Sequence, residues 1–292
     1  MRARIQTAIA VAAASCAVLA SPQAPPTFRG GVDMVAVGVS VRERGLPVMG
    51  LEAGDFQLRD NGVEQQVVDV SYEKLPADVT VALDVSQSVT GELLDQMRRA
   101  VTQLGGDLVG DDRLKLLTFN NRIQRVLSFD DDRATADAAL SRVRAAGTTS
   151  LLDTLSVALM TPQPTDRRHL IILFSDGLDT GSVTGRETVV ALARQRAATV
   201  ALVLPPHGVM GEESPTRKFF EQIAGETGGL VVLMGPRDDL GPTFRRVLSD
   251  FRASYVLHFR PSGVSESGNH TLDVRVRRGG VDVRARRGYG WQ

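Results

Sequence analysis

Apolar positions follow two rhythms along this chain. Val79-Thr80-Val81-Ala82-Leu83 and His169-Leu170-Ile171-Ile172-Leu173-Phe174 are nearly unbroken apolar runs. Such runs suit central parallel strands covered on both faces. Between them Leu93, Leu94, Met97, Val101 and Leu104 recur at helical spacing within 91–107. Further helices are expected at 132–144, 151–160, 186–198, 215–226 and 240–251. Further strands are expected at 114–119, 123–129, 199–204 and 230–234. This alternation predicts an α/β fold with a doubly wound, mostly parallel sheet.

The flanks alternate with period two instead. Phe56-Gln57-Leu58-Arg59 reads as a strand, Asp60-Asn61-Gly62 as a tight turn, and Gln65 to Val70 as the return strand. Near the C-terminus Tyr255-Val256-Leu257-His258-Phe259 is a strand. Thr271 to Arg277 and Val281 to Arg287 then alternate around Arg278-Gly279-Gly280, which predicts a hairpin. Leu272, Val274, Val276, Val281, Val283 and Ala285 share its apolar face. Arg275, Arg277, Arg284 and Arg286 crowd the other, as a solvated edge guarded by charge or a surface for an acidic partner. Small β segments therefore flank the α/β region at both ends.

Residues 1–20 read as a signal peptide: Met1-Arg2-Ala3-Arg4, an apolar stretch from Thr7 to Ala20, and a small-residue exit before Ser21. That stretch falls short of the roughly 20 residues a membrane-spanning helix needs, so no transmembrane segment is expected in the mature chain. Residues 21–31 form a Pro-rich flexible lead-in, 32–75 a small β unit, 76–252 the α/β domain and 253–292 the C-terminal β strands. The expected location is secreted, periplasmic or in the cell envelope. Cys16, the only cysteine, lies in the leader. Ala13-Ala14-Ser15-Cys16 weakly resembles a lipoprotein cleavage box, the lesser alternative. Without thiols the mature chain depends on its core for stability. The balance of 34 basic and 34 acidic residues argues against a nucleic-acid partner held by bulk charge.

Candidate chemistry gathers where strands end. Asp84-Val85-Ser86-Gln87-Ser88 follows the first apolar run and Ser175-Asp176-Gly177 the second. Thr149 precedes Leu151, Leu152 and Leu155, at a loop-to-helix junction. Open α/β sheets bind ligands beyond the C-terminal strand ends, at the switch point. Asp84, Ser86, Ser88, Thr149 and Asp176 together form an all-oxygen set suited to Mg²⁺ or Mn²⁺. With no histidine or cysteine nearby, zinc is disfavoured. Such an ion can accept a carboxylate from a protein partner as a further ligand. Asp153 and Asp179 lie close enough in sequence to act through water. Their bland readings are a first-turn helix acid and a routine turn. The loop after Asp84 equally suits capping of a helix starting near Thr90. His169, His207, His258 and His270 are scattered and read as structural, the first and third on strands, the others in loops. There is no G-x-S-x-G elbow, no P-loop and no histidine paired with a nucleophile, so no enzyme is indicated.

Asp84-x-Ser86-x-Ser88, Thr149 and Ser175-Asp176-Gly177 resemble the metal-ion-dependent adhesion site of a von Willebrand factor type A domain, over residues 76–252. Gly147-Thr148-Thr149 stands where that family has Gly-Gly-Thr, and the spacing to Leu151-Leu152-Asp153 favours Thr149. The resemblance implies that the two serines and the threonine contact the metal directly, and the aspartates directly or through water. Gly50-Leu51, Asp55-Phe56, Asp60-Asn61-Gly62 and the closing Ala285-Arg286-Arg287-Gly288-Tyr289 resemble exported von Willebrand-factor-related proteins of acidobacteria. The expected function is an exported, metal-dependent protein-binding module. The alternative is a scaffold of an envelope or secreted complex without metal-dependent binding.

Overall fold

The computed structural model describes residues 34–72, 75–89, 91–205 and 214–291. The leader, the lead-in, Cys16, Thr90 and His207 lie outside the described residues. In chain order the strands and helices are β1 (Val35–Glu43), β2 (Leu46–Pro47), β3 (Phe56–Asp60), β4 (Val63–Gln65), β5 (Val67–Tyr72), β6 (Ala77–Asp84), α1 (Glu92–Asp107), β7 (Arg113–Phe119), β8 (Ile123–Leu127), α2 (Ala136–Leu140), α3 (Leu151–Leu159), β9 (Arg168–Phe174), α4 (Arg186–Gln195), β10 (Ala198–Leu204), α5 (Pro215–Thr227), β11 (Leu230–Leu233), α6 (Leu240–Arg252), β12 (Tyr255–Phe259), β13 (Gly268–Val276), β14 (Asp282–Ala285) and β15 (Gly288–Trp291).

The central sheet runs β11-β10-β9-β6-β7-β8, parallel except for β8. Every residue of β6 is buried. Its side chains alternate between two helical layers, as the period of two requires. Val79, Val81 and Leu83 join a core with α1, α2 and α6. Ala82 joins the opposite core with α3, α4 and α5. β9 does the same, with Ile172 and Phe174 on the first side and Ile171 and Leu173 on the second. From β6 the chain winds outward through β7. From β9 it winds the other way through β10 and β11. The switch point therefore falls between β6 and β9. The α/β reading and the flanking β segments match this architecture.

The region expected as a helix over 132–144 is shorter. A 3-10 turn at Arg133–Thr135 leads into α2, which stops at Leu140. Beyond it polar side chains take the backbone acceptors. Ser141 Oγ donates to the Ala138 carbonyl at 2.7 Å, and Arg144 Nη1 to that of Ser141 at 2.7 Å.

The hairpin expected around Arg278-Gly279-Gly280 does not form a ladder. β13 pairs with β3 and β15, whereas β14 pairs with β1. The two arms diverge because two facing antiparallel sheets share one core. One sheet is β14-β1-β12-β5 with β2 at its side, the other β15-β13-β3-β4. Val37, Val39, Leu58, Leu257 and Phe259 fill the space between them. The expected apolar residues of 272–285 do face this core. The turn at Asn61 and Gly62 has positive φ at both residues, as a two-residue hairpin demands. Its return strand splits, with β4 pairing β3 and β5 crossing to β12.

The arginine face also departs from expectation. Arg275 and Arg277 are exposed, but Arg286 is buried. It donates to the carbonyls of Gly288 and Arg194, each at 2.7 Å. Arg284 and Arg42 both pair with Asp250 on α6. Gly228 ends α5 at φ +70°, where a Cβ would lie 2.8 Å from the Arg286 nitrogen. These contacts seat the C-terminal strands against the helices.

His270 lies within β13, not in a loop, and is buried. Its Nδ1 is 2.8 Å from Asp60 Oδ1, and the Tyr289 hydroxyl donates to Asp60 Oδ2 at 2.6 Å. The two rings stack at 4.6 Å. Burial and the Asp60 carboxylate push the Tyr289 hydroxyl well above the ordinary tyrosine value. This network ties β3, β13 and β15. Near the start of β6 Asp78 is buried between Arg113, at 2.6 Å, and Arg167, at 2.6 Å. Burial works to raise its carboxyl, but the two guanidinium partners outweigh it and hold it below the ordinary value.

Replacing Tyr289 by Phe is expected to cost about 2 kcal/mol, because a buried charged acceptor loses its donor. Urea unfolding of wild type and variant measures this. A second expectation concerns pH. Burial is the main influence holding His169 down to about 4, against about 6.5 in the unfolded chain. The unfolded chain thus binds the proton more readily between those values. Stability from neutral His169 is complete above the unfolded value and is lost as pH falls through the window. Thermal melts of His169→Gln across pH 4 to 7 should show a flatter slope than wild type.

Candidate functional site

The rim at the switch point is built from three loops. Asp84 closes β6 and is fully buried. Its Oδ1 accepts the Ser86 amide at 2.9 Å, and its Oδ2 accepts the Ser175 hydroxyl at 2.7 Å. Ser175 follows β9 directly and in turn accepts the Gly177 amide at 3.1 Å. The Ser86 and Ser88 hydroxyls lie 3.0 Å apart, and Ser88 donates to Asp176 Oδ2 at 3.0 Å. Asp176 Oδ1 accepts the Leu178 amide at 3.1 Å. Asp84, Ser86, Ser88 and Asp176 thus form one hydrogen-bonded chain. Burial, the largest influence, holds the Asp84 carboxyl above its ordinary value. The Asp176 charge adds to this, while the bonds from Ser86 and Ser175 oppose it.

Thr149 reaches the same rim through its backbone. Its amide donates to Thr180 Oγ1 at 3.0 Å, and its carbonyl accepts the Thr180 and Gly181 amides at 3.0 and 2.9 Å. The Gln87 amide donates to the Gly147 carbonyl at 3.1 Å and links the first loop to the second. Asp179 and Asp153 brace the third loop. Asp179 Oδ1 accepts the Leu151 amide at 2.9 Å and the Ser182 hydroxyl at 2.6 Å. Asp153 accepts the Val183 and Thr184 amides at 3.1 and 2.8 Å. Burial acts to raise the Asp153 carboxyl, and the bonds from Thr184 and Val183 outweigh it and hold it low. Ser175, Thr180 and Ser182 escaped the sequence reading as site residues. For Ser175 a signal existed, its place beside Asp176 directly after an apolar strand. For the other two there was none, because their partners are about 30 residues away.

The expectation of a Mg²⁺ or Mn²⁺ ion on this rim is corrected. Among the described residues no group of three or more His, Cys, Asp or Glu side chains converges to hold a metal. The two carboxylates that do meet are engaged by protein donors, namely the Ser86 amide and the hydroxyls of Ser175 and Ser88. The metal-dependent form of the adhesion reading, and a partner carboxylate bridged through a cation, fall with it.

Residues 79–178, about a third of the chain, match the family model for a von Willebrand factor type A domain. Over those residues the chain is similar to this domain type, and the doubly wound central sheet agrees with that likeness. No curated protein gives a significant match. Among solved structures, proximal thread matrix protein 1 from the mussel byssus is 18% identical, with a TM-score of 0.52 over 64% of this chain and 48% of that one. Another structure of the same mussel protein, described as having a zinc-occupied MIDAS motif, is 18% identical, with a TM-score of 0.52 over 65% and 49%. A von Willebrand factor type A protein from Catenulispora acidiphila is 14% identical, with a TM-score of 0.49 over 88% and 74%. At these identities the likeness is one of fold alone.

Gly147 sits at φ +80°, where a Cβ would lie 2.8 Å from Asn121 Oδ1. Gly147→Ala should cost about 1–2 kcal/mol through the left-handed backbone alone, with more if Asn121 cannot yield. Chemical denaturation gives the loss, and amide exchange should show Gln87, whose amide bonds Gly147, exchanging faster.

Proposed function

We infer that the chain is a non-catalytic scaffold or adhesion-type module that holds a protein partner at the sheet rim without a bound cation. The observation that carries this reading is the loop after β9. Val183 is 96% exposed and Leu178 48% exposed, although the backbone at both is pinned by Asp153 and Asp176. A rigid loop that offers apolar side chains to solvent loses little entropy on binding. The Ser88 and Asp176 side chains beside it supply a polar border, and Asp84, Ser86 and Thr149 shape the floor. In this reading these five are structural and contact residues of a partner surface.

The leader supports a secreted, periplasmic or envelope location. No helix among the described residues is long and apolar enough to cross a membrane. Lipid attachment at Cys16 is the lesser route. The motifs in the flanks favour the narrower group of exported bacterial proteins of this type.

Pull-down from the native envelope fraction tests the proposal. A partner captured equally with and without chelator, and lost with Val183→Asp at unchanged melting temperature, is the expected result. Capture that collapses on chelation, or survives Val183→Asp together with Leu178→Asp, would sink it.

A further inference from the structure

A cleft of about 520 Å³ lies at the other end of the central sheet, between the start of β9, the α4–β10 connection and the strands β1 and β12. Among the described residues its walls include Arg167, Arg168, Arg196 and Arg286, together with His169 and His258, and no Asp or Glu. Arg167 is satisfied by Asp78 at 2.6 Å. Arg168 and Arg286 are different, because neither makes an ion pair among the described residues. Arg168 donates to the Phe251 carbonyl at 2.9 Å and to Ser254 Oγ at 2.5 Å, and its Nη1 lies 3.5 Å from the Ser254 carbonyl. Its guanidinium lies 4.1 Å from the Phe251 ring centre. Among the described residues Arg286 donates to just the carbonyls of Gly288 and Arg194. Glu226, whose charge acts on Arg286, is engaged by Arg194 at 2.7 Å. His258 has Asp69 at 3.4 Å.

Carbonyls solvate a guanidinium but leave its charge uncompensated, and a buried charge without a counter-ion is costly. Low-dielectric walls focus that positive field into the cleft. Burial drives both Arg168 and Arg286 down to about 10, the direction expected of cations short of a counter-ion. Val35, Leu75 and Val256 supply apolar wall beside the cations. We propose that this cleft binds a small organic carboxylate, its head among Arg168, Arg196 and Arg286 and its apolar body against Val35, Leu75 and Val256. The site is separate from the rim at the switch point and does not depend on the reading of that rim.

Arg168 and Arg286 also hold backbone, so their removal risks unfolding. Arg196 is exposed and has no side-chain partner among the described residues, which makes Arg196→Glu the informative variant. Calorimetric titration of the full chain with octanoate should show one saturable site. Acetate and inorganic phosphate at equal ionic strength should bind much more weakly. Arg196→Glu should weaken octanoate about tenfold or more by reversing the local field, with its melting temperature unchanged in the absence of ligand. Absence of saturable octanoate binding, phosphate binding tighter than octanoate, or equal affinity in Arg196→Glu would each overturn the proposal.

Discussion

Full burial of β6 is the constraint on which the rest depends. A strand covered on both faces must have apolar side chains on both, and its backbone groups must all be paired within the sheet. β7 and β9 supply that pairing, in parallel, on either side. Parallel neighbours require crossover connections, and these place helices on both faces. Because the chain leaves β6 and β9 in opposite directions, the loops at their C-terminal ends part and leave a rim. Asp84 and Ser175 occupy that rim as the first residues beyond, or at the end of, the apolar runs.

The rim shows how a polar set is settled by its neighbours. Asp84 is fully buried, so its oxygens must find donors or be penalised heavily. The Ser86 amide and the Ser175 hydroxyl satisfy them. Once those bonds and the Ser88–Asp176 bond are in place, the rim is a closed network of protein donors and acceptors. Two carboxylates converge there, and no third His, Cys, Asp or Glu side chain joins them among the described residues. The apolar residues of the next loop then become the exposed feature, held in place by Asp153 and Asp179.

Much of the fold was legible in the pattern. The runs at 79–83 and 169–174 are long, apolar and bounded, so they mark central strands whatever surrounds them. Leu93 to Leu104 marked α1 by spacing alone. Legibility failed where two conformations share one pattern. Thr271 to Arg287 alternates as a hairpin should, and its apolar face is buried as expected. Alternation, however, fixes only which side of a strand is buried, not which strand lies beside it. The turn at 278–280 could close a ladder or bridge two sheets, and the core between Val39 and Leu58 decides for the second. Arg286 misled for the same reason. A charged residue on an alternating strand reads as solvated until a helix, here α4 with its Arg194 carbonyl, is laid over it.

The sequence by itself determined the α/β class, the order of the elements, the burial of β6 and β9, and the oxygen-rich residues at their ends. These are local properties, written in periodicity and composition within about 20 residues. The tertiary structure alone decided which polar groups satisfy one another, that N- and C-terminal strands share sheets, and that two arginines line a cleft without acidic partners among the described residues. Those outcomes depend on contacts between residues far apart in the chain. Asp60 meets Tyr289 across 229 positions, a separation that no window on the sequence spans.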